Sequence, residues 1–149
     1  MKKKNETVQI KKVTEEGEMK ILIVEDDVML RKMYSDKVRV AGHEAVEAAN
    51  GLEGLQMAKQ EAPDVILLDV MMPGMDGLEM LEKLRKSDWG AYMKVIVLTA
   101  KEPDDGVMGR VTKSEPSYFL SKATVTPEGI MNFINKLVEE GDGKNIASG

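Results

Sequence analysis

Four places in this chain carry side chains that could do chemistry together: the acidic run Glu25-Asp26-Asp27, then Asp69, Thr99 and Lys122. Several carboxylates in one crevice repel, and like charge raises the pKa of at least one of them. A hard divalent cation relieves that repulsion. Oxygen-only ligands favour Mg²⁺, which keeps waters and accepts phosphate oxygens as further ligands. Lys122 would add a compact positive charge for a carboxylate or an incoming phosphoryl oxygen, and Thr99 a hydroxyl donor. A carboxylate nucleophile, a metal and donors aimed at equatorial oxygens are the parts that phosphoryl transfer needs. Singly, each residue has a plainer reading. Asp27 is as readily a helix N-cap, Thr99 a strand-end residue and Lys122 a solvated lysine. His43, in an Ala41-Gly42-His43 turn, reads as an exposed loop residue, and the twelve methionines as core and loop filler.

Those residues matter only if the fold brings them together. Ile21–Val24, Val65–Leu68 and Val95–Leu98 are short runs apolar at every position, which suits strands buried on both faces of a parallel sheet. Glu44–Ala48 and Tyr118–Ser121 are weaker candidates that complete a set of five. Between them lie amphipathic stretches with helical punctuation. Leu30, Met33, Tyr34 and Val38 form a stripe after Asp27. Asn50 caps a helix holding Leu52 and Leu55, and Asp76 caps one holding Leu78, Leu81 and Leu84. Thr126-Pro127-Glu128 opens a last helix with Ile130, Phe133, Ile134, Leu137 and Val138 on one face, and Gly141 offers its stop. The fourth helix, around Asp104–Val111, contains Gly106 and Gly109, each costing about 1 kcal/mol relative to alanine.

Five strand–helix alternations predict a doubly wound α/β domain with right-handed crossovers. Function in such folds gathers beyond the carboxyl ends of the strands. The acidic run follows the first strand, Asp69 the third, Thr99 ends the fourth and Lys122 follows the fifth.

The chain has 149 residues, 42% hydrophobic and 32% charged, the size and balance of one globular domain. A formal net charge of −5 argues against direct nucleic-acid binding, and the lack of cysteine excludes disulfides, thiolate metal sites and cysteine nucleophiles. No apolar run is long enough to span a bilayer, and no apolar stretch follows the N-terminal lysines as a signal peptide would require. A cytoplasmic protein is expected. Residues 1–18 read as a charged tail, with Val8–Val13 a possible extra strand, and residues 141–149 as a flexible one.

KILIVEDD at Lys20–Asp27, PDVILLDVMMPGMDG at Pro63–Gly77, VIVLTA at Val95–Ala100 and YFLSK at Tyr118–Lys122 together resemble the four blocks of response-regulator receiver domains. The likeness runs over residues 19–140. It implies a flavodoxin-like (βα)5 fold with a five-stranded parallel sheet of order 2-1-3-4-5. It also implies that Asp69 is the phosphoacceptor. Asp26 would be the principal acidic metal ligand, Glu25 its neighbour, acting directly or through water, and the Met71 carbonyl a further ligand. Thr99 and Lys122 would bind the phosphoryl group, and Phe119 would be the aromatic switch residue. The cofactor implied is Mg²⁺, with Mn²⁺ possible. The implied partners are a sensor histidine kinase or phosphotransfer protein and a downstream protein target. The protein would not be a dedicated enzyme, and a monomer or weak dimer is expected.

Three departures from the family pattern carry expectations of their own. Ala123 replaces the usual proline after the lysine, so the Lys122–Ala123 bond should be either a strained cis bond or, in preference, trans with a re-routed loop. Lys113-Ser114-Glu115-Pro116-Ser117 replaces a Gly-Ala turn, so the fourth helix should be short or mobile. Met71 offers no polar atom to orient a hydrolytic water, so self-dephosphorylation should be slow. One rival reading is a binding module of the same fold that never accepts phosphate. Another, a phosphohydrolase with an aspartyl-phosphate intermediate, would need an Asp where Met71 stands. No glycine-rich phosphate loop supports nucleotide binding.

Overall fold

A computed structural model describes residues 17–72, 74–100 and 102–140. Val8–Val13, the N-terminal tail up to residue 16, the C-terminal tail and the Gly141 stop lie outside the described residues. The elements alternate strictly: β1 (Lys20–Val24), α1 (Val28–Val40), β2 (Glu44–Ala48), α2 (Gly51–Glu61), β3 (Val65–Asp69), α3 (Gly77–Lys86), β4 (Lys94–Thr99), α4 (Asp105–Ser114), β5 (Tyr118–Ser121) and α5 (Pro127–Glu140). The strands form one parallel sheet in the order β2-β1-β3-β4-β5. All five predicted strands are present and the expected order is found.

Alternation along the strands divides the interior in two. Leu22, Val24, Ile66, Leu68, Val95 and Val97 pack with Ala58, Leu78, Leu81, Leu84 and Val111, so α2, α3 and α4 cover that face. Ile21, Ile23, Val65, Leu67, Ile96 and Leu98 point the other way, onto Tyr34 and Val38 of α1 and Ile130, Ile134 and Leu137 of α5. Burial on both faces is why the central strands are apolar throughout.

Each of these five helices starts with a side-chain cap. Asp27 accepts from the Met29 and Leu30 amides, Asn50 from Glu53, Asp76 from Glu79, Asp104 from Val107 and Thr126 from Gly129. Asp27 is therefore engaged as a cap and stands apart from the acidic cluster.

Three local expectations need correction. Leu52 is exposed, because α2 turns Gly51, Gly54 and Ala58 to the core instead. A Cβ on Gly54 would sit 2.9 Å from both Val24 and the Met80 sulfur, so the small residue sets how closely α2 approaches β1. His43 is half-buried and its Nδ1 accepts a 3.0 Å hydrogen bond from the Met19 amide, tying the start of β1 to that of β2. α4 is not short. It spans ten residues, as many as α3, with Gly106 and Gly109 on its exposed side.

α4 is also fastened to α3. Arg110 makes a two-pronged contact with Glu82, Nε at 2.9 Å and Nη2 at 3.1 Å. Arg85, half-buried, donates to the carbonyls of Ser114 at 2.9 Å, Glu115 at 3.0 Å and Met93 at 2.8 Å. These contacts supply what the helix lacks in propensity.

Candidate functional site

The strand order reverses between β1 and β3, and the acidic residues gather at their carboxyl ends. Glu25 prolongs β1 by one ladder bond, its amide donating to Ala48 at 3.1 Å. Asp69 is the last residue of β3, and the next amide, of Val70, donates to Leu98 at 3.0 Å. Glu25 and Asp69 are 2% and 3% exposed, while Asp26 remains open to solvent. One carboxylate oxygen from each of these three residues lies within 4.8 Å of the others.

Lys122 enters from β5. Its amide donates to Thr99 at 2.8 Å, so both residues are fixed by the β4–β5 ladder. Its Nζ lies 3.0 Å from Glu25 Oε1 and 3.1 Å from Asp69 Oδ1. No described peptide bond is cis, so Lys122–Ala123 is trans, as expected without a proline. Ser121 closes the turn, its hydroxyl accepting from Ala123 at 3.2 Å and its carbonyl from Val125 at 3.0 Å. The altered loop does not displace the lysine.

The α3 end of the site depends on a close approach. The Gly77 amide donates to the Val70 carbonyl at 3.0 Å, and a Cβ on Gly77 would overlap the Asp69 carbonyl oxygen. Only glycine fits there. Thr99, buried at the end of β4, pairs in register with Ser121 beside Lys122. Phe119 is half-buried, packed into the α2–α3–α4 side of the core. The Met71 side chain is 53% exposed just beyond Asp69.

Electrostatics make the cluster unfinished. Burial pushes the Glu25 carboxyl above its ordinary value; the bond from Lys122 opposes this, and the Asp69 charge adds to it. Burial would lower Lys122, but its bonds to Glu25 and Asp69 outweigh that and hold its ammonium above the usual lysine value. Three carboxylates against one ammonium leave two formal negative charges uncompensated. Asp69 Oδ1 is buried and, despite its ion pair with Lys122, has no aligned hydrogen-bond donor. An all-oxygen donor set with that charge deficit and an under-satisfied carboxylate oxygen fits a hard divalent cation.

Sequence reasoning missed Arg31 and Glu47. Arg31 Nη1 donates to the Glu25 carbonyl at 2.8 Å, and its Nε to Glu47 Oε1 at 3.2 Å. An arginine one turn into the helix that follows an acidic run was the available signal.

Residues 21–140 match the response regulator receiver domain. Among curated proteins, the chain is 40% identical over 81 residues to sporulation initiation phosphotransferase F of Bacillus subtilis, covering 54% of this chain and 64% of that one. It is 35% identical over 92 residues to protein PilH of Pseudomonas aeruginosa, covering 61% and 76%. Several matched relatives are longer, and the aligned stretch spans only 39% of the transcriptional regulatory protein AfsQ1 of Streptomyces coelicolor. Among solved structures, a CheY-like response regulator receiver domain protein of Methanospirillum hungatei superposes with a TM-score of 0.74 at 28% identity, over 83% of this chain and 96% of that one. The chemotaxis protein CheY4 of Vibrio cholerae gives 0.72 at 29% identity, over 79% and 97%. No described helix is long and apolar enough to cross a membrane. Motif order, sheet topology, the strand-end acidic cluster and the family match agree: this chain belongs to the response regulator receiver domain family.

Proposed function

We propose that the chain is the phosphoacceptor half of a two-component pair, taking a phosphoryl group on Asp69 from a phosphohistidine of a sensor histidine kinase or phosphotransfer protein. An Asp69 oxygen forms the new bond to phosphorus as the phosphorus–imidazole bond breaks, and the imidazole leaves with a proton. Asp26, Asp69 and the Met71 carbonyl would hold Mg²⁺ or Mn²⁺, with Glu25 acting directly or through water. The metal supplies charge neutralisation and positioning for the phosphoryl oxygens. Lys122 pairs with one of those oxygens and Thr99 donates a hydrogen bond to another. Thr99 and Phe119 then bias the α4–β5–α5 face between two arrangements read by a downstream protein. Residues 19–140 form the receiver, flanked by tails at 1–18 and 141–149, and the protein acts in the cytoplasm as a monomer or weak dimer, not as a dedicated enzyme.

The observation that carries this reading is Lys122 Nζ bridging Glu25 and Asp69 within 3.1 Å, over a cluster still short of positive charge. Acetyl phosphate labelling read by intact mass tests it. One added phosphoryl group that requires both Mg²⁺ and Asp69 is expected. An unlabelled but folded wild type would leave a binding module of the same fold.

A further inference from the structure

We infer that Arg31 is a positioning residue for the metal-binding loop, orienting Asp26 by holding the Glu25 carbonyl while Glu47 holds the guanidinium. This rests on the reading of the acidic cluster as a divalent-cation site.

The stretch from Glu25 to Asp27 is pinned at several backbone points. The Glu25 amide is held by Ala48, and the Asp27 amide donates to Glu25 Oε2 at 3.2 Å. Asp27 itself is fixed as the cap of α1. One peptide plane in this stretch, between Glu25 and Asp26, determines how the Asp26 side chain leaves the chain. Its carbonyl receives a charge-assisted hydrogen bond from Arg31 Nη1 at 2.8 Å.

Arg31 is itself held. Its Nε meets Glu47 Oε1 at 3.2 Å, and the other Glu47 oxygen lies 3.6 Å from Arg39 Nη2. The Arg31 side chain is only 17% exposed. A rigid fork thus spans β2, α1 and the acidic loop, which a single flexible ammonium would reproduce poorly. Glu25 cannot do this work alone, since Oε1 is taken by Lys122 and Oε2 by the Asp27 amide.

Positioning and simple charge predict opposite signs. Removing a cation near a cation site should tighten Mg²⁺ binding if charge alone matters. Loss of an outer-shell orienting group should weaken binding, typically about 10–100-fold. Mg²⁺ affinity of the unphosphorylated full chain, measured by calorimetry and by displacement of Mn²⁺ followed by electron paramagnetic resonance, separates them.

Arg31→Gln is expected to weaken Mg²⁺ binding by about tenfold or more, with Arg31→Lys recovering only part of the loss. Unchanged or tighter binding in a folded Arg31→Gln protein overturns the inference, even if its thermal stability falls. Should that variant not fold, Glu47→Gln keeps the guanidinium but loosens it, and several-fold weaker binding is expected; wild-type affinity there overturns the inference equally. A wild type that binds no Mg²⁺ would overturn the functional reading and this inference with it, whereas unchanged affinity in the variants removes the inference alone.

Discussion

Lys122 Nζ stands 3.1 Å from Asp69 Oδ1 across a trans Lys122–Ala123 bond. Hydrogen bonds from the ladder and from Ser121 place the lysine without a proline behind it. The same ammonium is within 3.0 Å of Glu25, so it is shared by two buried acids.

Replacing it should expose that dependence. Lys122→Met is expected to destabilise the metal-free protein by about 3 kcal/mol, since breaking one side of a buried ion pair strands its partners. Mg²⁺ should restore part of the loss. In the wild type, Mg²⁺ at a hundredfold excess over its Kd should add about 2.7 kcal/mol. Urea unfolding of both proteins, with and without Mg²⁺, measures each value, and a Mg²⁺-insensitive wild type would contradict the second.

Gly77→Ala forces a Cβ onto the Asp69 carbonyl oxygen, and neither backbone is free to yield. A loss of about 1–3 kcal/mol is expected, in the range of overpacking. Acetyl phosphate labelling should slow as well, because the strain falls on Asp69 itself. Wild-type stability and labelling together would show that α3 can shift without cost.

The α3–α4 contact gives a pH signature. The hydrogen bond from Arg110 holds the Glu82 carboxyl below the ordinary glutamate range, against a smaller opposing effect of burial. A depressed carboxylate pKa means stability that is present above the unfolded value and is lost as pH falls through the folded one. The pair is partly exposed, so its contribution should be below about 1 kcal/mol. The urea midpoint of Glu82→Gln should therefore fall below that of wild type near neutrality, and the gap should close as pH falls below the ordinary carboxylate range. A gap that persists in acid would rule out the ion pair as its source.

Met71 sets up a test of phosphoryl lifetime. Its side chain faces solvent beside Asp69 and offers no good hydrogen-bonding group for water. Phospho-Asp69 should be long-lived, and Met71→Asn should shorten its life about tenfold if the amide contributes about 1.4 kcal/mol to the hydrolytic transition state. Decay after removal of the donor, followed by intact mass, reads this directly. An equally slow decay in the variant would mean that water orientation at this position is not limiting.

The strands and the site were legible because their signals were local and strong. β-branched runs end in acids at β1 and β3, and the resemblance in four sequence blocks implied the strand order that brings Asp26, Asp69 and Lys122 to one edge. What escaped depended on partners distant in sequence. Leu52 looked like a core residue until the glycines of α2 were seen to set its approach to β1 and α3. His43 acquires its role from Met19, twenty-four positions earlier. The two glycines of α4 argued for a poor helix, and propensity was outweighed by Arg85 reaching across from α3 and by the helix's own Arg110 gripping Glu82 of α3. Arg31 escaped for another reason, since its acceptor is the Glu25 carbonyl, and side-chain types alone do not show which carbonyl an arginine reaches.

The fastening of α4 is lopsided. Arg85 grips the main chain where the helix ends, at Ser114 and Glu115, and Glu115 adopts a left-handed conformation there with φ 47°. The start of the helix, at Asp105, has only its own Asp104 cap and the packing of Val107 against the core, with no arginine grip of that kind among the described contacts. A lever with its pivot at one end moves most at the other. Displacement of α4 would thus be smallest at Ser114 and greatest at the end that follows Thr99.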